Sequence, residues 1–289
     1  MKPKRGEHRT IAVTELDARG NGLGRDGDYL WAVRGAVPGD RVLARARKVR
    51  HRRRHVEARC ERVIDSAIER IPSRCSHFEE CGGCLWQDVP YDEQVRMKED
   101  MLRSVLSEAG FDIPLEEPVL GEDPFYYRNK MEFSFSPCEE EGLRLGLHRP
   151  GSFDRVFDLQ DCVLQSETSN RVVDSVRRFF RDSSDAAYHL RSHTGLLRFL
   201  TIREGKQTGE MMVSLTTSGE PFEGVDRFGS SLVEAFPEIQ SVVHAVNRRK
   251  AQVATGDEEY TIAGSSTVSE RLGGFQFEIS PSSFFQTNT

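Results

Sequence analysis

The chain has 289 residues, of which 37% are hydrophobic and 30% charged, enough for two domains at roughly 100–200 residues each. That composition excludes a disordered or collagen-like polymer. With a mean hydropathy of −0.54, no apolar run approaches the roughly 20 residues of a membrane-spanning helix. The net charge of −6 hides a split: residues 1–62 carry 17 Lys and Arg against 8 Asp and Glu, net +9, and the remainder carries 23 against 38, net −15. A basic segment of this kind suits a polyanion.

In chain order, the stretches 11–16, 29–33, 41–46 and 55–58 alternate or carry β-formers, and turn clusters such as Gly20-Asn21-Gly22 and Val37-Pro38-Gly39-Asp40 separate them. They predict short strands. Several short strands in about 60 residues stabilise themselves by curling into a small OB-like barrel that removes open edges. The run Gly22-Leu23-Gly24-Arg25-Asp26-Gly27 matches a dinucleotide-binding pattern, but a strand follows it where a helix is required. It therefore reads as a hairpin loop of the barrel. Residues 41–54 hold eight basic side chains in fourteen and no acid. On strand periodicity Arg41, Arg45 and Arg47 share a face that can track a phosphate backbone, and Arg45, Arg47, Arg50 and Arg52 of this run are its candidate RNA contacts. Tyr29 and Trp31 are either stacking platforms beside that charge or barrel core; a solvated basic loop is the bland alternative.

Next comes Cys75-x5-Cys81-Gly82-Gly83-Cys84, with Cys162 a candidate fourth ligand far along the chain. Three thiolates within ten residues can converge on one soft metal centre, and the glycines leave N–H groups free to approach the sulfurs. Zinc, with His77 replacing one cysteine, an iron–sulfur cluster on four cysteines, and thiol–disulfide exchange through Cys81 and Cys84 are all open. A radical-enzyme spacing of three then two residues is not matched. The N-terminal MKPKRGEHRT has no apolar stretch behind its charges, so no secretory signal is read there and a reducing cytoplasm is expected.

Helical spacing of Val95, Leu102, Val105, Leu106 and Ala109 predicts a helix over 91–110, capped by Gly110. Beyond Pro118 the chain turns strand-rich. A hairpin is expected around the acidic turn Cys138-Glu139-Glu140-Glu141-Gly142, a helix over 169–181, and strands near 196–203, 210–216, 241–247 and 275–279, an α+β pattern. Tyr126-Tyr127-Arg128-Asn129-Lys130 opens a strand and is either a basic, aromatic edge suited to RNA or an ordinary strand entry, and His148 and Arg149 after a neighbouring strand carry the same two readings. The glutamates beside Cys138 make it a poor nucleophile, and Cys60 reads as packed. Neither a G-x-S-x-G elbow nor an H-E-x-x-H pair occurs. The two phenylalanines of the stretch 280–289, Phe284 and Phe285, are unusual for a mobile tail.

In this order, the Pro38-Gly39-Asp40 turn, the block from Cys75 to Gln87, Tyr127-Arg128-Asn129-Lys130, Asp161-Cys162 and Phe284-Phe285-Gln286-Thr287-Asn288 resemble the RNA uracil-C5 methyltransferases with an N-terminal TRAM domain and a 4Fe-4S cluster. The resemblance implies a cluster on Cys75, Cys81, Cys84 and Cys162, S-adenosylmethionine touched by Gln286, and RNA, ribosomal or transfer, bound by Arg45, Arg47, Arg50, Arg52, Arg128, Lys130 and Phe284. In that family a cysteine thiolate adds to C6 of a flipped uracil and a carboxylate later removes the C5 proton. The fold class expected is an all-β OB-like (TRAM) barrel at 1–62, then an α+β iron–sulfur domain at 63–280 whose helix 91–110 packs with the catalytic domain. Residues 281–289 would begin a Rossmann-like methyltransferase domain that is largely absent. On that reading the chain is an N-terminal portion with no catalytic residue of its own, inactive alone, cytoplasmic and monomeric. A stand-alone RNA-binding module with a structural iron–sulfur or zinc site is the alternative.

Overall fold

Strands β1 (His8–Ala12), β2 (Glu15–Leu16), β3 (Gly22–Asp26), β4 (Tyr29–Arg34), β5 (Arg41–Arg50) and β6 (His55–Asp65) form one sheet in the order β1-β5-β6-β4-β3-β2. The computed structural model describes residues 2–138, 142–181, 183–219 and 222–289. Along β5 the burial alternates, with Val42, Ala44 and Ala46 inward and Arg41, Arg45 and Arg47 outward. A register shift between Ala46 and Lys48 then leaves Arg47 and Lys48 both exposed and returns Val49 to the core beside Trp31, Val33 and Val56. The bulge is how an eight-cation run coexists with a continuous apolar face. Gly24 lies where the chain crosses itself: a Cβ there would stand 2.2 Å from the Ala12 carbonyl oxygen. β1 at one edge thus meets β3 near the other, and the sheet curls.

The same unit, Met1–Arg74 with Cys84–Gly121, also contains helix α1 (Tyr91–Glu108). Buried Asp40 accepts hydrogen bonds from Val37 N, the Ser66 hydroxyl and Arg70, and the other arm of Arg70 reaches Asp88 at 2.6 Å. Burial pushes the Asp88 carboxyl up, against the pull of Arg70. Val37, Ile68, Val89 and Met97 bury together beside this ion triad, which is why the segment leading into α1 joins the N-terminal sheet. Met97 is the one fully buried residue of α1.

The second unit is Cys75–Gly83 with Glu122–Thr289. Its sheet comprises β7 (Lys130–Cys138), β8 (Gly142–His148), β9 (Val156–Asp158), β10 (Leu197–Glu204), β11 (Met211–Thr217), β12 (Ile239–Val246) and β13 (Glu258–Gly264), in the order β13-β12-β11-β10-β7-β8-β9. Helices α2 (Glu167–Arg181) and α3 (Val225–Ala235) bury Val172, Val176, Phe180, Phe228 and Leu232 against Phe133, Phe135, Leu200, Ile202, Val213 and Leu215. The opposite face presents Arg198, Thr201, Arg203, Ser214 and Thr216, all buried too. Arg198, Arg203 and Thr216 can be buried there because loops bring carbonyls to meet them; a hairpin pairs β14 (Val268–Leu272) with β15 (Phe275–Ile279). On the helical side, buried Arg177 donates to Asp158 at 2.9 Å, to Asp174 at 3.0 Å and to the carbonyls of Leu145 and Leu159.

The expected fold class is corrected in how its parts are joined: both large sheets are mixed, through the parallel pairs β4/β6 and β11/β12. The units also interleave along the chain, so the boundaries at 62 and 280 do not match them and α1 groups with the N-terminal sheet. Strand direction follows from connections rather than from residue preference, which is why short β-forming stretches did not reveal it. Gly22 and Gly24 are strand residues of β3, and the turn follows at Gly27. The helix expected at 169–181 starts two residues earlier, at Glu167. Glu139, Glu140 and Glu141 of the expected acidic turn lie outside the described residues. Among the described residues no helix is long and apolar enough to cross a membrane.

Removing the Arg177 guanidinium while keeping its bulk, Arg177→Met, takes the side-chain donor from the buried Leu159 carbonyl and the partner from Asp158. The Leu145 carbonyl keeps the Leu159 N–H at 3.2 Å, so the loss falls on the Leu159 carbonyl and on Asp158 and Asp174; unfolding free energy should drop by about 2–3 kcal/mol, and an unchanged denaturation midpoint would contradict the role given to this side chain.

Candidate functional site

Segment 126–129, singled out for its Tyr-Tyr-Arg-Asn sequence, runs as a strap between two other motif regions of the second unit. On one side Tyr126 N and Arg128 N donate to the carbonyls of Val163 and Leu164, next to Cys162. On the other, Arg128 bridges to Asn288 and Asn129 N donates to the Thr287 carbonyl at 2.9 Å. The Asn129 amide, buried, adds bonds to the Gln286 carbonyl at 2.6 Å and the Thr289 hydroxyl at 2.7 Å. Three stretches that looked unrelated in sequence are therefore one hydrogen-bonded assembly.

Residues that the sequence reading did not single out hold the terminal segment in place. Buried Arg203, on the polar face of β10, donates to the carbonyls of Pro281 and Ser283. Glu270, with no exposed surface, accepts from the backbone of Lys206 and Gln207 and from the Thr289 hydroxyl. A usable signal existed: the run Leu-Arg-Phe-Leu-Thr-Ile-Arg places two arginines inside an otherwise buried strand, which demands local acceptors. Phe285 packs with Met212, Val268 and Ile279, whereas Phe284 is 85% exposed. The Gln286 side chain is exposed, its backbone carbonyl alone being engaged. Arg128 contacts the Met131 sulfur, and Lys130 pairs with Glu132 at 2.5 Å.

None of the described cysteines forms a disulfide. Cys162 is buried against the core, its backbone clamped in both directions by the Asn170 amide, and Cys81 packs on the same core. Gly82 N donates to the His148 carbonyl, and a Cβ at Gly82 would come within 2.9 Å of that oxygen. The next residue turns Gly83 N–H onto Cys81 Sγ at 3.3 Å. In the first unit Cys84 Sγ accepts from the Gln87 amide at 3.2 Å. Both sulfurs thus accept an N–H hydrogen bond. Among the described residues no group of three or more His, Cys, Asp or Glu side chains is gathered to hold a metal ion. His77 does not replace a cysteine: its Nε2 accepts the Gln160 N–H at 3.0 Å and its ring packs on Phe157, so the coordinating lone pair is occupied.

The four candidate arginines, three on β5 and Arg52 in the turn that follows it, divide. Arg45 pairs with Glu61 at 3.5 Å and Arg50 with Glu57 at 2.7 Å. The hydrogen bond from Arg50 holds the Glu57 carboxyl below its usual range. Arg47 and Arg52 are exposed, and among the described residues no ion-pair partner faces them. Both acids come from β6, so a run without acids in sequence is not without acids in space.

The chain is related over its whole length to proteins named as RNA methyltransferases. It is 34% identical to an uncharacterized RNA methyltransferase of Chlorobaculum tepidum, over 100% of this chain and 63% of that protein. A further one, from Nitratidesulfovibrio vulgaris, is 35% identical over 96% of this chain and 60% of its own length. A tRNA (uracil-54, C5)-methyltransferase of Pyrococcus abyssi, solved in complex with S-adenosyl-L-homocysteine, shares the fold with a TM-score of 0.73 at 24% identity, covering 96% of this chain and 61% of that structure. No family model matches the sequence. The chain thus spans about three fifths of these relatives' length. The expectation of a fold without methyltransferase architecture is overturned, since nearly the whole chain superposes on a methyltransferase.

Replacing Asn129 with Ala removes both side-chain bonds to the terminal segment. Amide exchange at Thr287–Thr289 should accelerate, by about tenfold or more for a loss of about 1.5 kcal/mol, while β11 and β12 stay protected. Equal exchange in variant and parent would show that Arg203 and Glu270 suffice.

Proposed function

We propose that this chain works in S-adenosylmethionine-dependent methylation of uracil C5 in RNA. The observation that carries the proposal is its relatedness, along its entire length, to RNA methyltransferases. The shared fold with an enzyme acting on transfer RNA supports a structured RNA, transfer or ribosomal, as the substrate. S-adenosylmethionine supplies an electrophilic methyl group when bound; the exposed amide of Gln286, fixed at its backbone by Asn129, offers a donor and an acceptor suited to that ligand. Exposed Phe284 offers a face for the uracil ring, and Arg128 and Lys130 a cationic edge for the flanking phosphates.

The outward face of β5 and the turn at 51–53 that follows it bind the phosphate backbone in this reading, with Arg47 and Arg52 as the principal cations because their charge is not compensated. Arg47→Ser with Arg52→Ser should flatten the slope of log affinity against log salt by about 0.7 for each phosphate that is no longer neutralised. Arg45→Ser with Arg50→Ser should change it less. Equal effects of the two pairs, measured by filter binding across salt, would refute the ranking. Methyl transfer from labelled S-adenosylmethionine to uridine-containing RNA, scored by nucleoside analysis, tests the activity itself; RNA methylated at a base other than uracil would displace the reading.

For the cysteines we propose iron–sulfur ligation by Cys75, Cys81, Cys84 and Cys162, on the strength of donor chemistry. All are free of disulfides, and N–H groups already point at two of the sulfurs. Such a cluster would brace the chain around its ligands. Protein purified without oxygen should contain iron and acid-labile sulfide, and Cys81→Ser should lose both. Stoichiometric zinc in their place would overturn the assignment.

A further inference from the structure

A cavity of about 190 Å³ opens in the second unit beside the end of β8, away from the strap and the terminal segment. It is lined by Ser134, Ser136, His148, Tyr188, Arg191 and Gln252, among others. Because Phe133 and Phe135 fill the helical core, strand alternation puts Ser134 and Ser136 on the sheet's polar face.

Two loops wall the cavity, and one buried cation organises both. Arg198, 2% exposed, stacks on the Tyr188 ring at 4.6 Å and donates to the carbonyls of Asn247, Arg249 and Ala251, the last adjacent to Gln252. Asn247 then fixes the far side of that loop through the carbonyls of Val253 and Thr255. The other wall is tied by Tyr188 N to Leu197 O and by the Tyr188 hydroxyl to His193. The cavity is thus preorganised rather than a gap between mobile loops.

Its polar groups are neutral or neutralised. Arg191 pairs with Asp154 at 2.7 Å. His148 Nε2 bonds the Ser134 hydroxyl at 3.0 Å, its Nδ1 is buried without a partner, and burial holds the ring below its usual pKa. The Ser136 hydroxyl and the Gln252 amide make no hydrogen bond among the described residues. An imidazole nitrogen, a hydroxyl and an amide, with Tyr188, Val156 and Pro137 as apolar wall, match the edge and face of an uncharged heterocycle. A phosphate would have to displace Asp154 from Arg191, whereas an uncharged ring meets these groups as they stand.

We propose that this cavity seats one unpaired nucleobase of the RNA substrate, separate from the base that is methylated. The inference rests on the RNA reading above. The test uses the full chain, with the His148 ring resonances and RNA affinity as readouts. Adding uridine, cytidine, adenosine or guanosine should shift the His148 resonances in the parent and not in Ser136→Ala/Gln252→Ala. That double variant should bind a single-stranded oligoribonucleotide about tenfold more weakly, and an abasic oligonucleotide as well as the parent does. Normal RNA binding by both proteins with no His148 shift overturns the cavity alone. An equal loss on abasic RNA shows a backbone contact and overturns it also. A parent that ignores RNA altogether overturns the RNA reading, and the seating of an RNA base falls with it.

Discussion

Asn129 has its backbone N–H, backbone carbonyl and side-chain amide nitrogen all engaged inside the protein, with Thr287, Glu204, Gln286 and Thr289. No other residue type fills that position: an aspartate would set an acceptor against the Gln286 carbonyl, and a leucine would leave that carbonyl without a donor where water is scarce. The amide closes contacts across 157 and 160 residues of sequence. Placing the terminal segment thus depends on one buried amide at the start of β7. The candidate contacts of Phe284 and Gln286 follow from it, since a side chain can be presented reproducibly only from backbone that is fixed.

Around that amide the second unit divides its work between the two faces of one sheet. The face under α2 and α3 is closed by dispersion and the hydrophobic effect, which are indifferent to orientation. The other is closed by directional bonds from Arg198, Arg203 and Asn129, each reaching loop carbonyls rather than helices. Arginine suits this role because its planar fork donates to several acceptors at once and remains charged when buried. Loops held in this way keep irregular shapes, and both the terminal segment and the cavity at His148 lie along this face. A sheet covered by helices on both sides would have neither.

The legible part of the architecture was the part written in local periodicity. The alternation of residues 41–47 revealed which side of β5 is basic, and the helical spacing of 91–110 located α1. Two things escaped. Parallel pairing between β4 and β6 is set by how the chain returns, which leaves no residue-type trace. The compensation of Arg45 and Arg50 depends on β6 supplying Glu61 and Glu57, a property of strand pairing that no reading of the basic run alone could contain. The motifs around Arg128 and Gln286 were visible as unusual stretches, yet only three-dimensional structure joins them.

That compensation changes what the +9 segment means. Exposed ion pairs contribute about 0–1 kcal/mol, so Glu57 and Glu61 do not lock their arginines; they give each one a resident carboxylate that an incoming phosphate can displace at little cost. The freed carboxylate stays beside the phosphate, so the exchange neutralises less net charge, and adds less salt dependence, than a phosphate meeting Arg47 or Arg52. In the proposed RNA reading the unpaired cations carry the attraction and the paired ones add less, so the face is less adhesive than its net charge suggests.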